Sequence, residues 1–293
     1  MGADFKFYFE PGQSTWVNTV ETTEEQTSTK MAQTSRDYLW LNIRELPYFR
    51  SLVRSVEASY YTRFDLPAPT LDLGCGDGHF ATVAFDRILE VGLDSEEKSL
   101  REAIRRGGYR TLIQSLGGRM PFPDSYFGSA MSNSVLEHIP QVDEVLQEVH
   151  RVLKPGAPFV FCVPNQNFLA SLSVGRFLDK INLSRFGDIY RSFFNRISRH
   201  YHSDPPETWQ ARLEHAGFSL ERWWNYYLLR SMQVTEWGHY FGLPCWICYI
   251  LTGRWILVPT RWNLMFTYRI IMKYFDNAEY QDGVYSFYIT RRN

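Results

Sequence analysis

Residues 71–78 read Leu71-Asp72-Leu73-Gly74-Cys75-Gly76-Asp77-Gly78. The apolar run Thr70–Leu73 predicts a short strand, and His79–Phe85 predicts a short helix. A strand that enters alternate glycines and leaves as a helix fits a ligand-binding turn. Glycine lets the backbone turn tightly and approach a ligand closely. The helix start offers free N–H groups to a polar or negative ligand group. Asp94 closes the next strand, where a carboxylate can accept hydrogen bonds from two ribose hydroxyls. The glycines are spaced G-x-G-x-G, whereas a dinucleotide site spaces them G-x-G-x-x-G. Asp72 would repel a pyrophosphate but suits a cationic amino-acid ligand. A bare glycine turn and a dehydrogenase site are the alternatives at this point.

Outward from the turn, strand-like and helix-like pieces alternate. Strands are predicted at Ile88–Leu93, Arg110–Gln114, Gly128–Ser132 and Pro158–Val163. Helices are predicted at Glu96–Arg106 and at Gln141–Leu153, where Val142, Val145, Leu146, Val149 and Leu153 form one stripe. Such alternation predicts an α/β fold, a parallel sheet with helices on both faces. Upstream, Asp37–Tyr61 has helical spacing broken by Pro47. Downstream, a helix at Pro206–Gly217 precedes a strand at Phe218–Tyr227, and Val284–Thr290 alternates as a last strand.

From Leu71 to Phe161 the chain resembles the class I S-adenosylmethionine-dependent methyltransferases, in the broad group that includes quinone-biosynthesis enzymes. The segments that carry the likeness are LDLGCGDG, VGLDSE, MPFPDSYFG, SNSVLEHIP and EVHRVLKPGAPFVFCVPN. The resemblance implies a Rossmann-like, doubly wound sheet of seven strands whose last strand is antiparallel. It implies S-adenosylmethionine as cofactor, with Asp72, Gly74, Cys75, Gly76 and Gly78 around the methionine end. Asp94 and Ser95 would hold the ribose, Leu116 and Gly117 would flank the adenine, and Asn133 would sit near the sulfonium. Two positions depart from the family pattern. Leu116 stands where an acid often contacts the adenine amino group, and residue 128 is Gly where the family has an acid.

Methyl transfer from a sulfonium relies on positioning and desolvation, because the leaving group is already activated. A base is needed only if the acceptor must lose a proton. His138, in SNSVLEHIP, and the pair His200 and His202, in SRHYHSDPPETW, are the candidate catalytic residues. A packed or capping histidine and a solvated polar turn are their bland alternatives. No metal is expected.

The chain has 293 residues, with 31 basic against 32 acidic side chains, which argues against a nucleic-acid partner. Four cysteines do not make a disulfide scaffold, and a cytoplasmic setting is expected. Cys245 and Cys248 are expected to be buried, inert thiols. The first residues carry no signal-peptide pattern, and Lys6 occupies the position where a myristoylation signal needs Ser or Thr. Domain organisation is expected as a mobile tail over 1–36 and one domain over 37–293, with inserts at 166–207 and 228–282.

The unusual feature is aromatic content, 16 % of the chain, with six of nine tryptophans after position 220. Residues 237–275 contain no acid, yet Arg254, Arg261, Arg269 and Lys273 stand among Trp, Tyr, Phe and Ile. A membrane span at 240–258 would put the last strand across the bilayer from its partners. Two spans need about 20 residues each, more than this stretch provides. The segment is therefore expected as a lid, or as a peripheral dock on the anionic inner face of a membrane. The acceptor is expected to be a small hydrophobic or lipid-linked molecule. A soluble sugar or metabolite, and a non-catalytic cofactor-binding protein, are the alternatives.

Overall fold

A computed structural model describes residues 6–8 and 36–293. The elements are β1 (Lys6–Tyr8), α1 (Tyr38–Ile43), α2 (Tyr48–Tyr61), β2 (Thr70–Leu73), α3 (His79–Ala84), β3 (Leu89–Asp94), α4 (Glu97–Arg106) and β4 (Tyr109–Gln114). Then come β5 (Ser129–Asn133), a 3-10 turn at Leu136–His138, α5 (Val142–Val152), β6 (Pro158–Pro164), α6 (Asn167–Ala170), α7 (Ser173–Lys180) and α8 (Ser184–Ser198). The chain continues through α9 (Pro206–His215), β7 (Phe218–Tyr226), α10 (Leu229–Phe241), α11 (Leu243–Thr252), α12 (Arg261–Met272) and β8 (Tyr285–Arg292).

All strands join one sheet, in the order β1-β4-β3-β2-β5-β6-β8-β7. The seven strands from β4 to β7 are the expected sheet. β2 through β6 are parallel, and β8 runs antiparallel between β6 and β7. The expected tail over 1–36 lies outside the described residues, apart from β1, which pairs antiparallel with β4, and Arg36.

Period-two alternation sorts the strand residues onto two faces. In β6, Val160 and Cys162 join a core built with α2, α4, α10 and α12, while Phe159, Phe161 and Val163 join one built with α5 and α9. In β8, Phe287 and Tyr288 divide the same way. The first core is rich in rings: Trp224 stacks on Phe287 at 4.7 Å, and Tyr60 and Tyr61 meet Phe287 edge-on. Gly128 has a packing reason, because a Cβ there would lie 2.6 Å from the Ala68 carbonyl oxygen.

Strand order reverses between β2 and β5, with β3 and β4 on one side and β6 on the other. The crevice beyond the carboxyl ends of β2 and β5 is where open α/β sheets bind ligands. The two aromatic stretches supply helices beside that edge: α6–α8 between β6 and α9, and α10–α12 between β7 and β8.

Candidate active site

Two cavities open at this edge and meet at Gly74 and Val135. The first, about 630 Å³, is lined by Asp72, Cys75, Gly76, Asp77, His79 and Asn133, and by Arg254, Trp255 and Ile256 from the link between α11 and α12. The second, about 490 Å³, is lined by Asp94, Ser95, Leu116, Gly117 and His138, and by Gln141 and Glu144. Both volumes suit a small-molecule ligand.

The glycine turn joins the cavities. Gly74 has φ +76°, and a Cβ there would lie 2.4 Å from Val135 Cγ1. Gly74→Ala is therefore expected to lower stability by about 2–4 kcal/mol, from left-handed backbone strain plus overpacking. Urea denaturation measures it, and a loss below about 0.5 kcal/mol would mean that the Val135 loop yields freely. Gly78, expected at the cofactor, lines neither cavity. It starts α3 at φ +76°, and a Cβ there would press on Ala103 and Tyr109 at 3.2–3.3 Å. Its role is to let the turn pack on α4 and β4.

Asp72 is 3 % exposed and accepts a hydrogen bond from the Tyr109 hydroxyl at 2.6 Å. Burial raises its pKa to about 7; the Tyr109 bond opposes the rise and the charge of Asp94 adds to it. Asp94 is fixed by two backbone donors, Gly76 N–H to Oδ2 at 2.9 Å and Glu96 N–H to Oδ1 at 2.8 Å. One-sided donation of this kind leaves lone pairs on both oxygens for a diol. Leu116 is 72 % exposed at the second cavity. The acid missing at that position has a counterpart from another element, because Glu144 and Gln141 of the α5 region face the same space. Gly117 passes close to Leu73 and Val145, at 3.1 and 3.2 Å from a would-be Cβ.

Asn133 lines the first cavity, but its amide is already engaged. Nδ2 donates to Glu57 Oε2 at 2.9 Å, and Cys162 Sγ donates to Oδ1 at 3.1 Å. Glu57 is a hub that the sequence gives no reason to single out. It is fully buried and also accepts from Arg54 (2.7 Å), Ser134 (3.0 Å) and Tyr226 (3.1 Å). Burial lowers the Arg54 pKa, but the Glu57 charge and hydrogen bond outweigh it, so the guanidinium stays firmly charged.

The three histidines separate into two groups. His138 Nδ1–H donates to the Arg199 carbonyl at 3.0 Å, which leaves Nε2 bare and 3.8 Å from Glu137 Oε1. Burial lowers the His138 pKa, which favours the neutral ring. His200 lies beside it, with ring centroids 5.2 Å apart, and burial lowers its pKa to about 3. His202 lines none of these cavities. Its Nε2–H donates to the Ile139 carbonyl at 3.1 Å, and Nδ1 accepts from Arg212 at 3.1 Å. Both nitrogens are spent on holding the 200–206 segment, so the catalytic expectation for His202 does not fit the geometry. Cys245 and Cys248 are also unlike the expectation. They are half-buried, because α11 buries none of its side chains.

Residues 71–161 match the family model described as a methyltransferase domain. A 24-methylenesterol C-methyltransferase of Arabidopsis thaliana is 35 % identical over 98 residues, covering 31 % of this chain and 27 % of that one. A demethylmenaquinone methyltransferase of Symbiobacterium thermophilum is 32 % identical over 119 residues, covering 37 % and 47 %. The chain thus spans less than half the length of these curated relatives. Among solved structures, a methyltransferase from Thermotoga maritima superposes with a TM-score of 0.51 at 13 % identity, over 84 % of this chain and 91 % of that one. That likeness establishes the fold. Fold and cofactor class are those of the class I S-adenosylmethionine-dependent methyltransferases. More narrowly, the likeness in sequence to that family lies in the segment from Leu71 to Phe161.

Proposed function

We propose that the protein transfers a methyl group from S-adenosylmethionine to a small hydrophobic or lipid-linked acceptor. The carrying observation is the pair of cavities that meet at Gly74, with a buried carboxyl (Asp72) in one and a backbone-fixed carboxylate (Asp94) in the other. The fit to the cofactor is good. A carboxyl with a cavity before it can take an ammonium, and one with lone pairs free can take a ribose diol. Nothing stands within 4 Å of a would-be Gly76 Cβ, so the backbone there is open to a ligand. When bound, the cofactor supplies an electrophilic methyl group. Asp72 and the Gly74–Gly76 backbone hold the amino-acid end, Asp94 and Ser95 the ribose, and Leu116, Gly117 and Glu144 flank the base. We assign the proton-accepting role to His138, whose Nε2 is bare and which lines the second cavity, for an acceptor group that enters there past Gly74 and Val135. His200 backs His138.

Isothermal titration with S-adenosylmethionine tests the cofactor half. Binding is expected, and Asp94→Ala should weaken it about a hundredfold, since hydrogen bonds to a charged group contribute about 1.5–3 kcal/mol each. No binding by the parent protein, or equal binding by the variant, would sink the assignment.

Support for the acceptor class comes from the second aromatic stretch. Its link over residues 253–259 covers the first cavity and brings Arg254 and Trp255 to it. Among the described residues, Arg50, Lys98 and Arg254 line that cavity without a carboxylate ion-pair partner, alongside the acids Asp72, Asp77, Glu96 and Glu102, which favours an acceptor with a polar head. A further groove of about 620 Å³, lined by Val234, Trp237, Phe266, Ile270 and Ile271, lies between α10 and α12 and suits an apolar chain. The outer faces expose Leu251, Trp262 and Phe266 at 76, 90 and 77 %. Exposed apolar groups beside arginines favour peripheral attachment to an anionic membrane. No helix among the described residues is long and apolar enough to cross a membrane. The relatives named for sterol and demethylmenaquinone methylation add support for a hydrophobic acceptor. Mass spectrometry of a lipid extract, after incubation with labelled S-adenosylmethionine, identifies the product.

A further inference from the structure

Glu137, His138 and His200 each bring a metal-ligating atom to one place, all within 4.8 Å of one another. Glu137 is 1 % exposed, and its Oε2 is buried without a hydrogen-bond partner. A buried carboxyl oxygen left unpaired is costly, and such a group calls for a specific explanation. His200 Nδ1 is likewise buried and unpartnered. His138 shows the orientation that metal-bound histidines adopt, one nitrogen donating to a backbone carbonyl and the other bare.

The backbone holds these three groups together across a long sequence separation. The amides of Tyr201 and His202 donate to the Glu137 carbonyl at 2.7 and 3.3 Å, and His202 bonds the Ile139 carbonyl. Arg199, between α8 and His200, sits at φ +56°, a left-handed conformation that is rare for a residue with a side chain. The segment is therefore stapled to the turn that carries Glu137 and His138. Arg54 is hydrogen-bonded and ion-paired to Glu57 and makes no ion pair with Glu137, whose nearest ring nitrogen is His138 Nε2 at 3.8 Å.

We propose that Glu137, His138 and His200 form a binding site for a divalent transition-metal ion of the zinc class. Two imidazoles and one carboxylate are a donor set for Zn²⁺ and its first-row neighbours. Tetrahedral ligands at about 2.0–2.1 Å from the metal stand about 3.4 Å apart, so the donor atoms, all within 4.8 Å of one another, would need to draw in by up to about 1.5 Å, which side-chain rotation at exposed His138 can supply. Three protein ligands leave further positions open. His138 lines the second cavity, so water, or an oxygen donor of a molecule bound in that cavity, would fill those positions. The His138 lone pair serves one purpose at a time, and a bound cation stands where the proton of the base reading would go. Metal binding does not itself depend on methyl transfer, so the two readings can fail separately.

The full chain, stripped with chelator, is titrated with Zn²⁺ by calorimetry and with Co²⁺ by visible absorption. One equivalent of Zn²⁺ should bind, and Co²⁺ should develop ligand-field bands. His138→Ala and Glu137→Gln should each weaken binding by at least about tenfold, since even changes to outer-shell partners cost that much. His138 is half-exposed, so its variant tests the site without burdening the fold, and circular dichroism checks that both variants are folded. Cys245→Ser should bind as the parent does. Absence of binding by the parent, unchanged binding in His138→Ala, or loss in Cys245→Ser would overturn the proposal.

Discussion

Asp72→Asn is expected to make the cofactor-free protein more stable at pH 8 while abolishing cofactor binding. Burial raises the pKa of Asp72 from 3.8 to about 7, with Asp94 adding to the rise and the Tyr109 hydroxyl opposing it. The folded state therefore holds this proton more tightly than the unfolded chain does. The sign follows from linkage: between about pH 4 and pH 7 the folded state binds more protons, so this group's contribution falls as pH rises and levels off above about 7. Asparagine keeps an acceptor for Tyr109 and carries no charge. The variant should gain on the order of a few kcal/mol at pH 8 and close to nothing at pH 4. Thermal denaturation of both proteins at the two pH values reads the difference, and an equal gain at both would sink the account. Cofactor affinity in the parent should rise with pH and flatten near 7, because an ammonium binds the ionised carboxyl. The asparagine variant should show neither the binding nor the slope.

The second large effect concerns the surface. Trp262→Ser with Phe266→Ser removes two side chains of α12 that are 90 and 77 % exposed. Residues so exposed contribute little to folding, so the melting temperature should stay nearly unchanged. Their burial in a bilayer interface would contribute about 1.5–3 kcal/mol each. Binding to vesicles containing anionic lipid should therefore fall about a hundredfold or more. Co-sedimentation measures it. A parent protein that ignores such vesicles, or a double variant that binds them equally well, would remove membrane attachment from the proposal and leave α10–α12 as a lid.

Local periodicity and turn chemistry made the sheet legible. Thr70–Leu73 has the same bounds in sequence and structure, and Gln141–Leu153 differs from α5 by one residue at each end. Asp72 and Asp94 were legible because each stands in or at the end of a strand beside the glycine turn. The Glu57 hub was not. On the sequence it is one polar residue in a helix, and its partners Asn133, Ser134 and Tyr226 come from β5, the loop after it, and β7. The meeting of Glu137 with His200 is hidden for the same reason. The helices of the aromatic stretches were obscured differently: α11 is apolar all round and buries no side chain, so it carries no stripe to mark a face. That also explains why its cysteines were expected inside.

The link between α11 and α12 carries Arg254 and Trp255 over the first cavity, while the helices on either side turn Leu251 and Trp262 outward. On the proposed reading, one short segment has a face in each of two phases. Its consequence is kinetic. Turnover would follow the mole fraction of acceptor within the lipid surface, and not its bulk concentration. Diluting the acceptor with inert lipid at fixed total amount would then slow the reaction, whereas adding more vesicles of the same composition beyond saturation would not.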